Sequence, residues 1–384
     1  MAEDKRKTTV QIPSVGADEG QSLSKIAEQS ISDDDSKDNP PEKNLEEMLR
    51  QLQRIQDPAY LHTISMDELY ETVYLGRTPV IDGLLYGGTY LFVGAPKVGK
   101  SFLMAQLAYH VSTGLSLWDF PVHKGTVLYL ALEDDYRRLQ ERLYRMFGTD
   151  STDKLHFALC AKQLGAGLDE QLHKFVQEYP DTRLIIIDTL QKVREIGSEK
   201  YSYAGDYEIV GRLKQFADQH DICLLLVHHT RKQQADDKFD MISGTNGLLG
   251  AADGAFLLQK EKRTDNTATL DISGRDQQDQ RLFLTRDLVR LVWNLERKET
   301  DLWREPPDPL LEAVAALVTE SNPEWNGTPT ELVSALALEI KPNVLTMRLN
   351  VTAGRLSNEY GICYESSRNH AGRRITLTLQ DTGA

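Results

Sequence analysis

Residues 94 to 102 read GAPKVGKSF, and Gly94, Gly99, Lys100 and Ser101 fit the spacing G-x-x-x-x-G-K-[ST]. These residue types together do one kind of chemistry. Glycines let the backbone curl so that successive N–H groups point inward and hold an anion. A lysine directly before a hydroxyl residue puts an ammonium and a metal-binding oxygen at the rim of that curl. The pattern predicts a cradle for nucleotide phosphates formed by Gly94, Ala95, Pro96, Lys97, Val98, Gly99, Lys100, Ser101 and Phe102. Lys100 would reach the β- and γ-phosphates, and Ser101 would ligate Mg²⁺. The flanks agree: Tyr90–Val93 read as a buried strand, while Leu103, Leu107 and Val111 recur at helical spacing. The loop therefore opens a helix whose positive end faces the phosphates.

Other strand ends carry the groups that hydrolysis needs. RLIIIDTL (residues 183–190) is an apolar strand ending in Asp188, the expected second Mg²⁺ ligand. A carboxylate must also orient and deprotonate the attacking water. Thr189 follows Asp188, so that carboxylate does not come from the next position. GTVLYLALEDD (125–135) supplies one in Glu133, with Asp135 suited to cap the helix that follows; capping alone would also account for acids here. CLLLVHHTRK (223–232) ends a further strand in His228 and His229. Neighbours on a strand face opposite sides, so one of them reaches a γ-phosphate, and position favours His229; the other reading is a buried structural histidine. Arg275, behind Gly274 in LDISGRDQQDQRLFL, projects from a turn just past a strand, as a surface Arg–Asp turn or as a functional cation.

Positioning these groups takes a parallel α/β sheet. From about 75 to 300, short apolar runs alternate with helical stretches. The predicted strands are Tyr90–Val93, Val127–Leu132, Leu184–Asp188 and Ile222–His228, followed by a hairpin from Ala268–Ser273 to Arg281–Thr285. Residues 1–43 lack aromatic residues and are rich in Ser, Asp, Glu and Lys, the composition of a disordered tail. Leu45, Met48, Leu49, Leu52 and Ile55 give a helical segment within 44–74, packing on its own domain or on a neighbouring subunit. REPPDP (304–309) divides a core over 75–303 from a small domain over 310–384. In that domain GTPTELVSALAL gives one capped helix, and VLTMRLNVTAGRLSNEYGI another with Leu345, Leu349 and Leu356 inward. Two strands around a basic turn follow, in CYESSRNHAGRRITLTL.

Of the 384 residues, 44 are Lys or Arg and 58 Asp or Glu, a net charge of −14. That argues against coating duplex DNA by bulk charge, though not against a local basic site. Cys160, Cys223 and Cys363 are scattered, so neither a disulfide framework nor a zinc site is expected. The start, MAEDKRKTTV, has no apolar core of a signal peptide, and no run approaches a membrane span. The expectation is a soluble, cytoplasmic protein.

The ordered set VGAPKVGKS, VLYLALED, LIIIDTL, LLLVHHTRK, SGTNGLLGAADG and SGRD, over about residues 70–300, resembles the RepA-type hexameric helicases and their relatives among RecA-like ATPases. The resemblance implies a RecA-like P-loop core that hydrolyses ATP with Mg²⁺, in a homo-oligomeric ring usually of six subunits with sites between protomers. It implies Glu133 as the base and Arg275 as a cation reaching a neighbour's γ-phosphate. Such rings unwind DNA during replication of plasmids and other mobile elements. Loops facing the channel would then hold Lys192, Arg194 and Lys200, and Arg231, Lys232 and Lys238, against single-stranded DNA, with Tyr201 and Tyr203 stacking on bases. Asp236 and Asp237 interrupt the second loop. The C-terminal module resembles a winged helix: Lys341, Arg348, Arg355, Arg368, Arg373 and Arg374 oppose only Glu359 and Glu365 between 341 and 380. That excess suits duplex DNA, the other reading being a dock for a replication protein. Two functions follow: a helicase or translocase on single-stranded DNA, or an ATP-controlled DNA-binding switch without translocation. A small-molecule kinase fits less well, because Glu133 and Arg275 suit hydrolysis.

Overall fold

A computed structural model describes residues 59, 61, 63–74, 76–194, 203–230, 238–242, 246–262, 264–275, 278–300, 307–369 and 372–380. The tail, the segment around Leu45–Ile55, and Lys200, Tyr201, Arg231 and Lys232 lie outside them. The chain divides into two units, Arg77–Trp303 and a second holding Arg304–Ala384 together with Gly76 and the described residues before it, including helix α1 (Met66–Glu71).

The first unit begins with a small ribbon, β1 (Pro79–Ile81) and β2 (Leu85–Tyr86). Then come β3 (Gly88–Gly94), α2 (Lys100–Thr113), β4 (Thr126–Ala131), α3 (Tyr136–Phe147), β5 (Leu155–Ala158), α4 (Leu168–Glu178) and β6 (Thr182–Asp188). They are followed by α5 (Leu190–Val193), α6 (Tyr203–His220), β7 (Cys223–His229), α7 (Asn246–Ala251), β8 (Gly254–Gln259), β9 (Thr267–Gly274), β10 (Gln280–Arg286) and β11 (Trp293–Thr300). One nine-stranded sheet takes the order β11-β10-β9-β8-β3-β7-β6-β4-β5. From β8 to β5 all neighbours are parallel, and β9 to β11 add an antiparallel meander.

Every residue of β3 and of β4 is buried. Unbroken apolar runs are what a parallel strand needs when both of its faces are covered by helices. Successive residues then serve opposite cores. Tyr90, Phe92, Tyr129, Ile186, Leu225 and Val227 join Leu103 and Met104 of α2. Leu91, Val93, Ile185, Ile187, Leu224 and Leu226 join Leu172 of α4 and Leu213 of α6 on the other face. The ladders differ in reach. β3 and β7 stay paired up to Gly94 and His229, and β4 and β6 up to Ala131 and Asp188. The β6–β7 ladder stops at Ile187 and Leu226.

The strands read from sequence lie within one or two residues of their observed ends. Three others in the nine-stranded sheet were not expected from the sequence, each for a reason. β5 is a short edge strand with every residue half-buried. β8 continues an apolar run shared with α7, which periodicity cannot divide. β11 is charged along half of its length and buries only Trp293.

In the second unit α8 (Pro309–Leu317), β12 (Glu324–Gly327), α9 (Pro329–Leu336), α10 (Pro342–Tyr360), β13 (Ile362–Asn369) and β14 (Gly372–Leu379) surround their own core. The sheet order is β12-β14-β13, antiparallel throughout. Leu345, Leu349 and Leu356 of α10 are fully buried. Asn350 ties α1 to α10, its Nδ2 donating to the carbonyls of Tyr70 (2.8 Å) and Glu71 (3.1 Å), while the Tyr364 hydroxyl donates to its Oδ1. Helix α1, placed with an N-terminal segment on sequence grounds, therefore packs in the C-terminal unit. No helix among the described residues is long and apolar enough to cross a membrane.

At the lower edge of the large sheet, buried Asp253 accepts hydrogen bonds from Arg77, Lys214 and the Thr89 N–H, joining the start of the unit, α6 and β3. Removing one partner from such a network strands the others, so Asp253→Ala should cost about 3–5 kcal/mol, read from the denaturant midpoint. Burial pushes the Asp253 carboxyl up, but the bonds from Arg77, Lys214 and Thr89 outweigh it and leave the group below its ordinary value. Its contribution should thus be present at neutral pH and fade as pH falls through the acid range, a dependence the variant lacks.

Candidate functional site

The phosphate loop joins β3 to α2 through backbone that other residues would resist. Gly99 has φ +107°, and a Cβ there would sit 2.9 Å from Cζ2 of Trp293. A Cβ on Gly94 would sit 2.7 Å from the Leu258 carbonyl of β8. Lys97 at the loop tip takes φ +66°. The loop is seated tightly on β8 and on the first residue of β11.

Lys100 is buried, and its Nζ donates to the carbonyls of Gly94 (2.7 Å) and Ala95 (3.1 Å). The same Nζ lies 3.2 Å from His229 Nδ1. Strand alternation explains that meeting. Val227 faces the core under α2, so His229 does too, and buried His228 faces away. Asp188 lies on the α2 face by the same parity, after Leu184 and Ile186. Its carboxylate accepts from the Ser101 hydroxyl and from Tyr129 Oη at 2.8 Å. Ser101 and Asp188 thus stand together as two hard oxygen donors, a set suited to Mg²⁺. Glu133 is exposed one turn past β4, with the Thr189 hydroxyl 3.4 Å from Oε1.

Burial dominates the electrostatics here. It pulls the Lys100 ammonium down to about 8, against the opposing pull of Asp188 and Glu133. Burial raises Asp188, with Glu133 adding to it, while Ser101, Tyr129 and Lys100 work the other way. His229 is lowered by burial and by Lys100.

The remaining predicted residues are distributed as follows. Asp135 caps α3 through the Arg138 N–H (2.9 Å), while Asp134 pairs with Arg142 at 2.7 Å. Arg275 is exposed at the end of β9, its N–H on the Asp253 carbonyl and its Nη2 2.6 Å from that of Gly250. This is the opposite end of the sheet from Lys100: Arg275 lies level with Thr89, five residues before Gly94, or about 16 Å along β3 at the usual strand rise. Lys192 is exposed on α5, whereas Arg194 is half-buried in an ion pair with the buried Asp206. Lys238 opens a short 3₁₀ turn.

In the C-terminal unit Arg348 pairs with Asp308 (2.7 Å), Arg355 with Glu359 (2.9 Å) and Arg373 with Glu71. Arg374 donates to Asn326 at 3.2 Å, and Arg368 is exposed on β13. The local charge count had missed Asp308 and Glu71 because both lie outside 341–380.

Sequence reasoning also missed Tyr129 and Trp293. Tyr129 lies on β4 at the same parity as Ala131, so strand alternation alone could have paired it with Asp188. Trp293 carried no such signal, since its contact with the loop spans nearly 200 residues.

Because Lys100 is charged in the unfolded chain up to its ordinary value near 10.5 but loses its proton near 8 when folded, the unfolded state binds more protons between those limits. Stability should therefore rise with pH across that window. Relative to Lys100→Met, the nucleotide-free protein should gain about 1–3 kcal/mol from pH 7.5 to 10.5 in paired denaturant titrations. A difference that stays flat with pH would contradict the buried ammonium.

The AAA domain family (AAA_25) matches residues 56–235. No curated protein matches the chain. Among solved structures, the ATPase domain of G40P is similar at 16% identity and TM-score 0.46, over 67% of this chain and 100% of that one. A DnaB-like replicative helicase, solved in a study of its interactions with primase, has 17% identity and TM-score 0.46, over 72% and 75%. A KaiC-like protein, PH0186 from Pyrococcus horikoshii OT3, has 12% identity and TM-score 0.43, over 58% and 100%. With a phosphate loop between β3 and α2, and β7 inserted between β3 and the Asp188 strand, the chain carries a RecA-like P-loop domain that the AAA domain family matches over residues 56–235.

Proposed function

We propose that this chain is an ATP-hydrolysing RepA-type ring ATPase acting as a helicase or translocase on single-stranded DNA, in the replication of a plasmid or other mobile element. The observation that carries the reading is the convergence of Lys100, Ser101, Asp188, Glu133 and His229 at the ends of four strands. The backbone N–H groups of residues 94–102 cradle the phosphates, and Lys100 turns from its carbonyl partners toward the β- and γ-oxygens. Ser101 and Asp188 would hold Mg²⁺, which neutralises charge on those oxygens. Glu133 orients a water and takes its proton, with Thr189 beside it. His229, already against Lys100, senses the terminal phosphate.

Arg275 supports the oligomeric part of the reading. Lying at the far end of the sheet from Lys100, it suits a neighbour's site rather than its own, as a ring of six would require. Loss of such a cation costs about 10³-fold or more in turnover. Arg275→Ala and Lys100→Ala should each be inactive alone, and mixing them should restore hydrolysis, since some interfaces then join an intact loop to an intact arginine. A mixture as dead as its components would remove the claim.

A second reading, an ATP-controlled DNA-binding switch without translocation, draws on one observation: the Arg194 offered to a channel loop is half-buried against Asp206. The C-terminal unit, read as a winged helix from its order of helices and strands, would then hold duplex DNA or a replication protein. Steady-state ATP hydrolysis with and without single-stranded DNA, using Lys100→Ala as blank, separates the two. The translocase reading expects several-fold stimulation; a rate indifferent to DNA favours the switch.

A further inference from the structure

On one side of β3 stand β7, β6 and β4, whose ends bear His229, Asp188 and Glu133. The ammonium of Lys100 points to that side, which fixes the terminal-phosphate end of a bound nucleotide there. The α-phosphate and nucleoside must then leave past Ser101 and Phe102. What they meet is a cluster assembled from distant parts of the chain. Phe102 has two guanidiniums over its ring, Arg286 at 4.1 Å and Arg142 at 5.0 Å from the centroid. Trp293, against which Gly99 packs, has Lys260 at 5.4 Å and Arg286 at 5.9 Å.

The charges of this cluster are unevenly matched. Arg142 pairs with Asp134. Arg145 donates to the carbonyls of Leu288 and Val289, and Lys260 donates to the Asp265 carbonyl at 2.7 Å. The half-buried Arg286 has its Nε shut from solvent with no hydrogen-bond partner among the described residues. Burial lowers Arg286, and Arg145 and Arg142 lower it further; Lys260 is lowered by burial and by Arg286. Asp134 answers Arg142 and Asp265 acts on Lys260, so the unmatched charge sits on Arg286. A cation held on an aromatic face suits a ligand that is both anionic and aromatic.

We propose that Arg286, with Lys260, grips the α-phosphate and ribose end of the nucleotide, while Phe102 provides the apolar floor and the fully buried Trp293 backs the two cations from the core. The assignment rests on the nucleotide reading above and adds to it the residues that tell a nucleotide from bare polyphosphate. A charge-assisted hydrogen bond of this kind corresponds to about tenfold or more in affinity.

The test is calorimetric titration of the full-length protein, wild type and Arg286→Gln, with ADP and with inorganic pyrophosphate. The proposal expects the substitution to lower the ratio of ADP to pyrophosphate affinity about tenfold, with pyrophosphate binding nearly unchanged. Arg286→Lys, which keeps the charge but not the planar fork, should recover part of that ratio. Equal losses on both ligands would assign Arg286 to bracing the loop and overturn the proposal. Affinities unchanged for both ligands would overturn it while leaving the nucleotide reading intact. A wild-type protein that binds neither ligand would overturn the nucleotide reading and this proposal with it.

Discussion

A buried ammonium is costly unless the surrounding structure gives it a purpose, and Lys100 is such a group. Two loop carbonyls and a histidine ring hold it at the top of the sheet, while Asp188 and Glu133 act on it through space. Much of the large unit serves that point. β3 must deliver Gly94 with its carbonyl turned inward. α2 must begin at Lys100, β7 must end with His229 on the α2 face, and β6 must end with Asp188 on the same face. A shift of one residue in β6 or β7 would present Ile187 or His228 instead.

This dependence explains why much of the site was legible in the sequence. The loop is a local pattern whose chemistry is set by residue type. Asp188 and Glu133 could be found because they end apolar strands, and strand alternation left one of His228 and His229 to face the loop. The parallel sheet was legible for a similar reason, since its central strands are apolar on both faces and stand out from the helices between them.

Other features rest on encounters that no local window contains. Trp293 meets Gly99 across the sheet, and Arg286 meets Phe102 from the end of the meander. Asp253 collects Arg77, Lys214 and Thr89 from three separate elements. The C-terminal arginines teach the reverse lesson. Counted along the chain they formed a basic patch, yet Arg373 meets Glu71, about 300 residues earlier, and Arg348 meets Asp308. Charge read in one dimension overstates what a surface offers when acids arrive from elsewhere.

The unequal reach of the ladders divides the site mechanically. The loop and His229 belong to strands zipped together to their last residues, and so do Asp188 and the strand leading to Glu133. Between these two panels the backbone bonding stops at Ile187 and Leu226, one residue short of Asp188 and three short of His229. A seam therefore runs through the candidate site, with Lys100 and His229 on one panel and Asp188 and Glu133 on the other. Below that point β6 and β7 are paired from Leu184 to Ile187, so the freedom is confined to the strand tips that carry Asp188 and His229. The separation of Asp188 from His229 is thus set by side chains and loops rather than by ladder hydrogen bonds between their strands.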